Sequence, residues 1–195
     1  MKENNAFISA DFKTYIDQID ILRLLIRYQN CLKNVKESVA EHSFYVAAIV
    51  LKLHQYYEFN LETALTTAII HDIPEAFMSD VPYTIKQKHE KLSKVLDEVE
   101  ADVTKSFLSE KANELLNHFN KCDTPEGLVC RLADIISVIL YSADEIKTGN
   151  KIFNYIAIKT LKRCNDTMQM LESYIKEPYT KEQISEKINQ IINIY

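Results

Sequence analysis

The chain has 195 residues, a net charge of -5 and only two glycines, Gly127 and Gly149. A chain of this length is expected to form one domain over residues 1–195 and to bury about 70% of its extended surface, so neither a metal nor a disulfide is needed to hold it together. Two glycines cannot build a dinucleotide fingerprint, and their spacing, with no lysine directly after either, excludes a P-loop; 23 basic against 28 acidic residues argue against a nucleic-acid partner while leaving a small anionic substrate open.

The apolar period is helical almost throughout. A first helix is expected over residues 12–32, with Phe12, Tyr15, Ile16, Ile19, Leu22 and Ile26 on one stripe. Ser38-Val39-Ala40-Glu41 is a capping box opening a second helix to residue 57. Asn60 caps a third over 61–72, and Pro74 prevents its easy continuation. Residues 75–82 are short and broken. A long helix follows over 85–107, and Ser109 is placed to cap another to residue 119. Thr124-Pro125 is an N-cap with a first-turn proline. It opens the most apolar helix, which ends near Lys147 with Gly149 as its C-terminal stop. Residues 154–176 read as helical, and Thr180 to Gln183 repeats the capping-box pattern before a last helix. No strand, repeat or linker is evident, so the expected fold is all-α and single-domain.

The longest apolar run, residues 45–51, is far short of the ~20 residues of a membrane span. The segment MKENNAFISADFK has no apolar signal core. Cys31, Cys122, Cys130 and Cys164 form no C-x-x-C pair. They are expected to be reduced and mostly buried, which implies a cytoplasmic protein without a membrane partner. An all-cysteine zinc site is not expected.

Four polar residues sit where packing alone would not put them. His71-Asp72 ends the run Ala68-Ile69-Ile70, Asp134 interrupts Leu132-Ala133-Asp134-Ile135-Ile136, and His42 opens an apolar helix. A carboxylate buried without a partner costs several kcal/mol, on the order of the whole stability of a domain. Two imidazoles and two carboxylates on three packed helices suit one divalent Mn, Fe, Co, Ni or Zn ion better than Mg or Ca. Read without a metal, the same residues are a first-turn histidine, a helix-ending His-Asp, and an aspartate bonded to Arg131 or a backbone group.

The ordered set His42, His71-Asp72 and Asp134 resembles the HD-domain metal-dependent phosphohydrolases. Asn34-Val35, Ser38-Val39-Ala40-Glu41-His42-Ser43, His71-Asp72-x-x-Glu75, Asp80-x-Pro82-x-x-x-Lys86 and Ala133-Asp134 look like their bacterial 5'-deoxynucleotidase branch, over roughly residues 23–150. The resemblance implies an HD-type helical bundle and hydrolysis of (deoxy)nucleoside 5'-monophosphates. It implies His42, His71, Asp72 and Asp134 as ligands of one divalent transition metal ion, and a homodimer. By the same resemblance Glu75 orients the attacking water or shuttles its proton. Asp80 approaches the sugar and the leaving oxygen. Arg27 binds the phosphate through parallel N–H bonds, and Tyr28 lies against the sugar where the family has Trp. This chain has no Trp, and a phenol leaves room for a 2'-hydroxyl, so a relaxed deoxyribose preference is expected.

Two other functions stay open at this point. One is the same chemistry on a nucleoside triphosphate, a cyclic nucleotide or an alarmone; the other is a metal-containing binding protein without turnover. His54, His89 and His118 read as surface or cap residues. Asp144-Glu145 and the charged stretch 86–100 read as solvated faces. Leu92, Val95, Leu96, Val99 and Val103 read as core or a subunit contact, and Tyr155, Ile156 and Ile158 as an exposed apolar face.

Overall fold

The computed structural model describes residues 7–79 and 89–193. Among them the secondary structure is helical, with isolated backbone bridges and no strand. The helices are α1 (Phe12–Leu24), α2 (Val39–Leu53), α3 (Leu61–Ile70), α4 (Glu75–Met78), α5 (Glu90–Phe107), α6 (Glu110–Lys121), α7 (Pro125–Lys147), α8 (Ile152–Met170) and α9 (Lys181–Asn193).

The predicted starts that rest on a cap hold, because caps are local chemistry, whereas the helix expected from residue 154 begins at Ile152. Ser38 Oγ accepts from the Glu41 N–H at 3.2 Å, and Glu41 Oε2 accepts from the Ser38 N–H at 2.7 Å. Asn60, Ser109 and Thr124 each accept an N–H of the first turn that follows them. Thr180 and Gln183 form the expected reciprocal pair.

Several predicted ends move inward. α1 stops at Leu24, not at residue 32, because the chain turns extended and pairs with the entry to α2. The Arg27 N–H donates to the Glu37 carbonyl and the Val39 N–H to the Leu25 carbonyl, each at 2.9 Å. Of the α1 stripe only Leu22 is buried, and Phe12 is 81% exposed. α2 ends at Leu53 with His54 as its cap, and α3 ends at Ile70 with His71 as its cap. α8 ends at Met170 and passes into a 3₁₀ turn, Glu172–Tyr174. There the Glu58 N–H donates to the Tyr174 carbonyl at 2.7 Å and the Lys176 N–H to the Tyr56 carbonyl at 2.8 Å. The described part of the predicted 85–107 helix is α5.

α7 is the central helix and packs against α8, α2, α3 and α6. Its Val129, Leu132, Ile135, Ile136 and Ile139 meet Val46 and Val50 of α2, Ala64 and Ala68 of α3, and Cys164 and Met168 of α8 in the larger apolar cluster. A smaller cluster gathers Leu22, Val39, Ile70, Ile73, Phe107 and Leu116. Burying these side chains supplies the main favourable term of folding. Gly127 lets α7 approach α6, since a Cβ there would lie 2.6 Å from the His118 carbonyl oxygen. Gly149 has φ +90, a left-handed conformation suited to glycine after a helix.

Leu92, Val95 and Val99 of α5 are 42%, 54% and 42% exposed, which removes the core reading of that stripe and leaves the subunit contact. The thiols are less buried than expected. Only Cys130 and Cys164 of the four free thiols are buried.

Candidate metal centre and active site

His42 and His71 sit at the seam between the two apolar clusters. On α2, His42 lies between Val39 of the smaller cluster and Val46 of the larger one; on α3, Ala68 and Ile70 divide the same way just before His71. The capping box fixes where α2 begins, and so aims His42 inward. Asp134 comes from the middle of α7. Asp72 follows the end of α3, where Pro74 turns the chain into α4.

The four side chains converge. His42 Nε2 lies 3.3 Å from Asp134 Oδ1 and 3.6 Å from Asp72 Oδ2, and His71 Nε2 lies 3.3 Å from Asp72 Oδ2. Ligand atoms of His42, His71 and Asp134 lie within 4.8 Å of one another. Adjacent ligands of an ion bonded at roughly 2.1 Å stand about 3.0–3.5 Å apart, so the spacing fits a single ion. Both imidazoles are buried, and both Nε2 atoms lack a hydrogen-bond partner. The His71 Nδ1–H donates to the Ala68 carbonyl at 2.8 Å, which leaves the Nε2 lone pair facing the cluster.

His42 is held differently. Its Nδ1 lies 3.1 Å from Ser137 Oγ and 2.6 Å from Arg27 Nη1. Arginine only donates, so this contact uses the Nδ1 lone pair. Ligation through Nε2 requires a proton on Nδ1; Ser137 Oγ can accept it, while Arg27 Nη1 keeps its 2.9 Å bond to Glu37 Oε2.

The two carboxylates are faced by both imidazoles and by the guanidinium groups of Arg27 and Arg131. Burial alone would raise the Asp72 carboxyl, but His71, His42 and Arg27 outweigh it and hold the group well below the usual carboxylate range. Burial opposes ionisation of Asp134 too, and is overcome by its contact with His42 and the charges of His71 and Arg131. His71 moves up despite burial, because Asp72 and Asp134 face it.

The centre opens on a cleft of about 580 Å³ between α4, α5, α6 and α7, lined by His71, Asp72, Glu75 and Arg131 among others. That is within the usual range of small-molecule sites, roughly 300–1,000 Å³. Glu75 stands in the first turn of α4, three residues after Asp72.

Residues 14–186 match the family described as YfbR-like, 5'-deoxynucleotidase YfbR-like. The chain belongs to the YfbR-like 5'-deoxynucleotidase family. A 5'-deoxynucleotidase of Pasteurella multocida is 28% identical over 148 residues, 69% of this chain and 75% of that one. A solved protein of Pyrococcus horikoshii superposes with a TM-score of 0.70 at 25% identity, covering 94% of this chain and 99% of that one. An HD-domain phosphohydrolase of Listeria innocua has the same fold, with a TM-score of 0.72 at 24% identity over 94% of this chain and 90% of that one. The described residues of this YfbR-like chain are all-α and share their fold with that HD-domain phosphohydrolase.

Of the residues singled out in the sequence, the four expected ligands come together and Glu75 lies beside them. Arg27 approaches from the Nδ1 edge of His42. Tyr28 has φ 57 and stacks on Tyr141 with ring centroids 5.0 Å apart, edge-on to Phe153 at 5.4 Å. Asp80, with the Pro82 and Lys86 that follow it, lies outside the described residues.

Glu145 corrects the reading of a solvated face, for it is fully buried. Its carboxylate accepts from the Asn34 N–H at 2.9 Å, the Val35 N–H at 2.7 Å and the Asn150 amide at 2.6 Å. Burial would raise its pKa, but these donors hold it below the ordinary value. Glu145 thereby ties the segment after Arg27 and Tyr28 to the end of α7. The only sequence signal was its place at the end of an apolar helical stripe, Leu132, Ile135, Ile139 and Ser142.

Proposed function

We propose that this YfbR-like phosphohydrolase removes phosphate from (deoxy)nucleoside 5'-monophosphates, using one divalent transition metal ion held by His42, His71, Asp72 and Asp134. The observation that carries this reading is the convergence of two buried, unpartnered imidazole Nε2 atoms on two carboxylates beside an open cleft, in a chain of this family. The two-nitrogen, two-oxygen donor set suits Mn, Co, Fe, Ni or Zn. The ion would acidify water toward neutrality and polarise the phosphoryl group.

The protein's own groups do the rest. Glu75 orients the attacking water and takes its proton as the oxygen–phosphorus bond forms. Asp80 contacts the sugar and returns a proton to the leaving 5'-oxygen. Arg27 holds the phosphate from the His42 edge, and Tyr28, braced by Tyr141, lies against the sugar.

We further read residues 1–195 as one domain that acts as a cytoplasmic homodimer. Tyr155 and Ile158 on α8, each 70% exposed, support a two-fold contact. Among the described residues no helix is long and apolar enough to cross a membrane. Light scattering at micromolar concentration is expected to give twice the chain mass, and a clean monomer mass would refute the dimer.

The deciding experiment is elemental analysis of protein purified without chelator, followed by a phosphate-release screen with Mn, Co or Zn. One ion per chain and turnover of deoxynucleoside monophosphates are expected. Cleavage confined to triphosphates or cyclic nucleotides would refute the substrate. Uptake below about a tenth of an equivalent on reconstitution would refute the centre.

A further inference from the structure

We propose that Arg131 binds the substrate's phosphate from the Asp134 side of the centre, a role that rests on the phosphomonoester reading above. Lys105 and Arg131 are the lysine and arginine side chains among the described residues that line the cleft. The Lys105 side chain is 71% exposed and is 3.9 Å from Asp102. Arg131 is only 22% exposed and is held in place on three sides. Its guanidinium carbon stands 3.7 Å from the centroid of the Phe119 ring. Nη1 donates to Asp134 Oδ2 at 3.3 Å and Nη2 to the Phe119 carbonyl at 3.4 Å.

These contacts leave donors for a ligand. A guanidinium carries five N–H groups, and the two bonds use two of them. The stack on Phe119 covers one face and fixes the plane, so the group loses little freedom on binding an anion. Asp134 sets the position. Its Oδ1 faces His42 Nε2, while its Oδ2 faces Arg131 Nη1. A phosphoryl group has the same kind of two-oxygen edge as a carboxylate. It can place one oxygen at the centre and a second against Arg131, as the carboxylate beside it does.

Among the described residues the cleft is also lined by the acidic Asp72, Glu75, Asp97 and Glu100, and a cation fixed in its wall favours entry of a phosphate dianion. Arg27 answers this from the opposite edge, where it is already engaged by Glu37 and His42. Among the described residues Arg131 supplies a cation in the cleft wall that is held in place, unlike the exposed Lys105.

The test uses metal-loaded wild-type protein, Arg131→Gln and Arg131→Lys. Three quantities are measured: the Kd for inorganic phosphate by calorimetry, the KM for a deoxynucleoside monophosphate, and bound metal per chain. In Arg131→Gln the Kd and KM are expected to rise together by about tenfold to a hundredfold, with one metal per chain retained. Arg131→Lys keeps the charge but loses the planar fork, and is expected to weaken phosphate binding at least threefold. Unchanged phosphate affinity in the fully metal-loaded glutamine variant would overturn the proposal. So would a loss that follows metal content alone and disappears when metal is saturating, which would leave Arg131 as a support for Asp134. If the glutamine variant does not fold, the lysine variant decides by the same two readouts. Should wild-type protein cleave no monophosphate while Arg131→Gln still loses phosphate binding, the substrate reading fails and the role of Arg131 stands.

Discussion

Glu145 is a buried carboxylate with three N–H donors, and its removal offers a sharp test of how the loop beside the active site is held. Glu145→Ala leaves the Asn34 and Val35 backbone N–H groups and the Asn150 amide facing a small void. Each hydrogen bond to a charged acceptor contributes about 1.5–3 kcal/mol. Water can reach the half-exposed loop and restores part of that, so a net loss of about 3–5 kcal/mol is expected. For a chain of this size one kcal/mol moves Tm by roughly 2–4 °C, so Tm should fall by roughly 6–20 °C. Glu145→Gln keeps the shape but turns an NH₂ toward donors, and should cost about 2–3 kcal/mol.

The pH dependence follows from the direction of the shift. The folded-state pKa lies below the ordinary value, so the contribution is fully present above the unfolded-state pKa of about 4.3. It is lost as pH falls through the lower folded value. Urea unfolding of wild type and Glu145→Gln between pH 3 and 8 should therefore give a constant difference above about pH 5.5 and a shrinking one below about pH 4. A difference under about 1 kcal/mol at neutral pH, or one that does not change with pH, would refute the reasoning.

Glu75→Gln should lower kcat by about 10²–10⁴-fold while bound metal stays at one per chain; a change under threefold would remove Glu75 from the proton transfer. Tyr28→Trp should raise the deoxy-to-ribo ratio of kcat/KM, by an amount within the roughly 1–3 kcal/mol that a filled pocket discriminates. An unchanged ratio in an active enzyme would make Tyr28 a packing partner of Tyr141. Gly127→Ala forces α6 and α7 apart, because its Cβ meets the His118 carbonyl oxygen at 2.6 Å. A loss of about 1–3 kcal/mol is expected in chemical denaturation, and a neutral or stabilising effect would contradict the close approach.

The helical class, most helix starts and the four side chains that converge, His42, His71, Asp72 and Asp134, were legible in the sequence, because each has a local cause. Caps at Ser38, Asn60, Ser109 and Thr124 are written in a few adjacent residues, and a carboxylate such as Asp134 stands out against an apolar helix. Helix ends were less legible. α1 had the periodicity to continue past Leu24, but backbone bonds between 25–27 and 37–39 stop it there, and periodicity carries no record of such a partner. The same reason hid Glu145 and Arg131. Glu145 looked like one more charge near a helix end until Asn34 and Val35, more than a hundred residues away in the chain, closed over it. Arg131 read as a plain partner for Asp134, and only the packing of α6 against α7 lays it on Phe119 at the edge of the cleft. Local hydrogen bonds and hydrophobic period set which helices form, whereas burial and long-range pairing decide which polar groups act together.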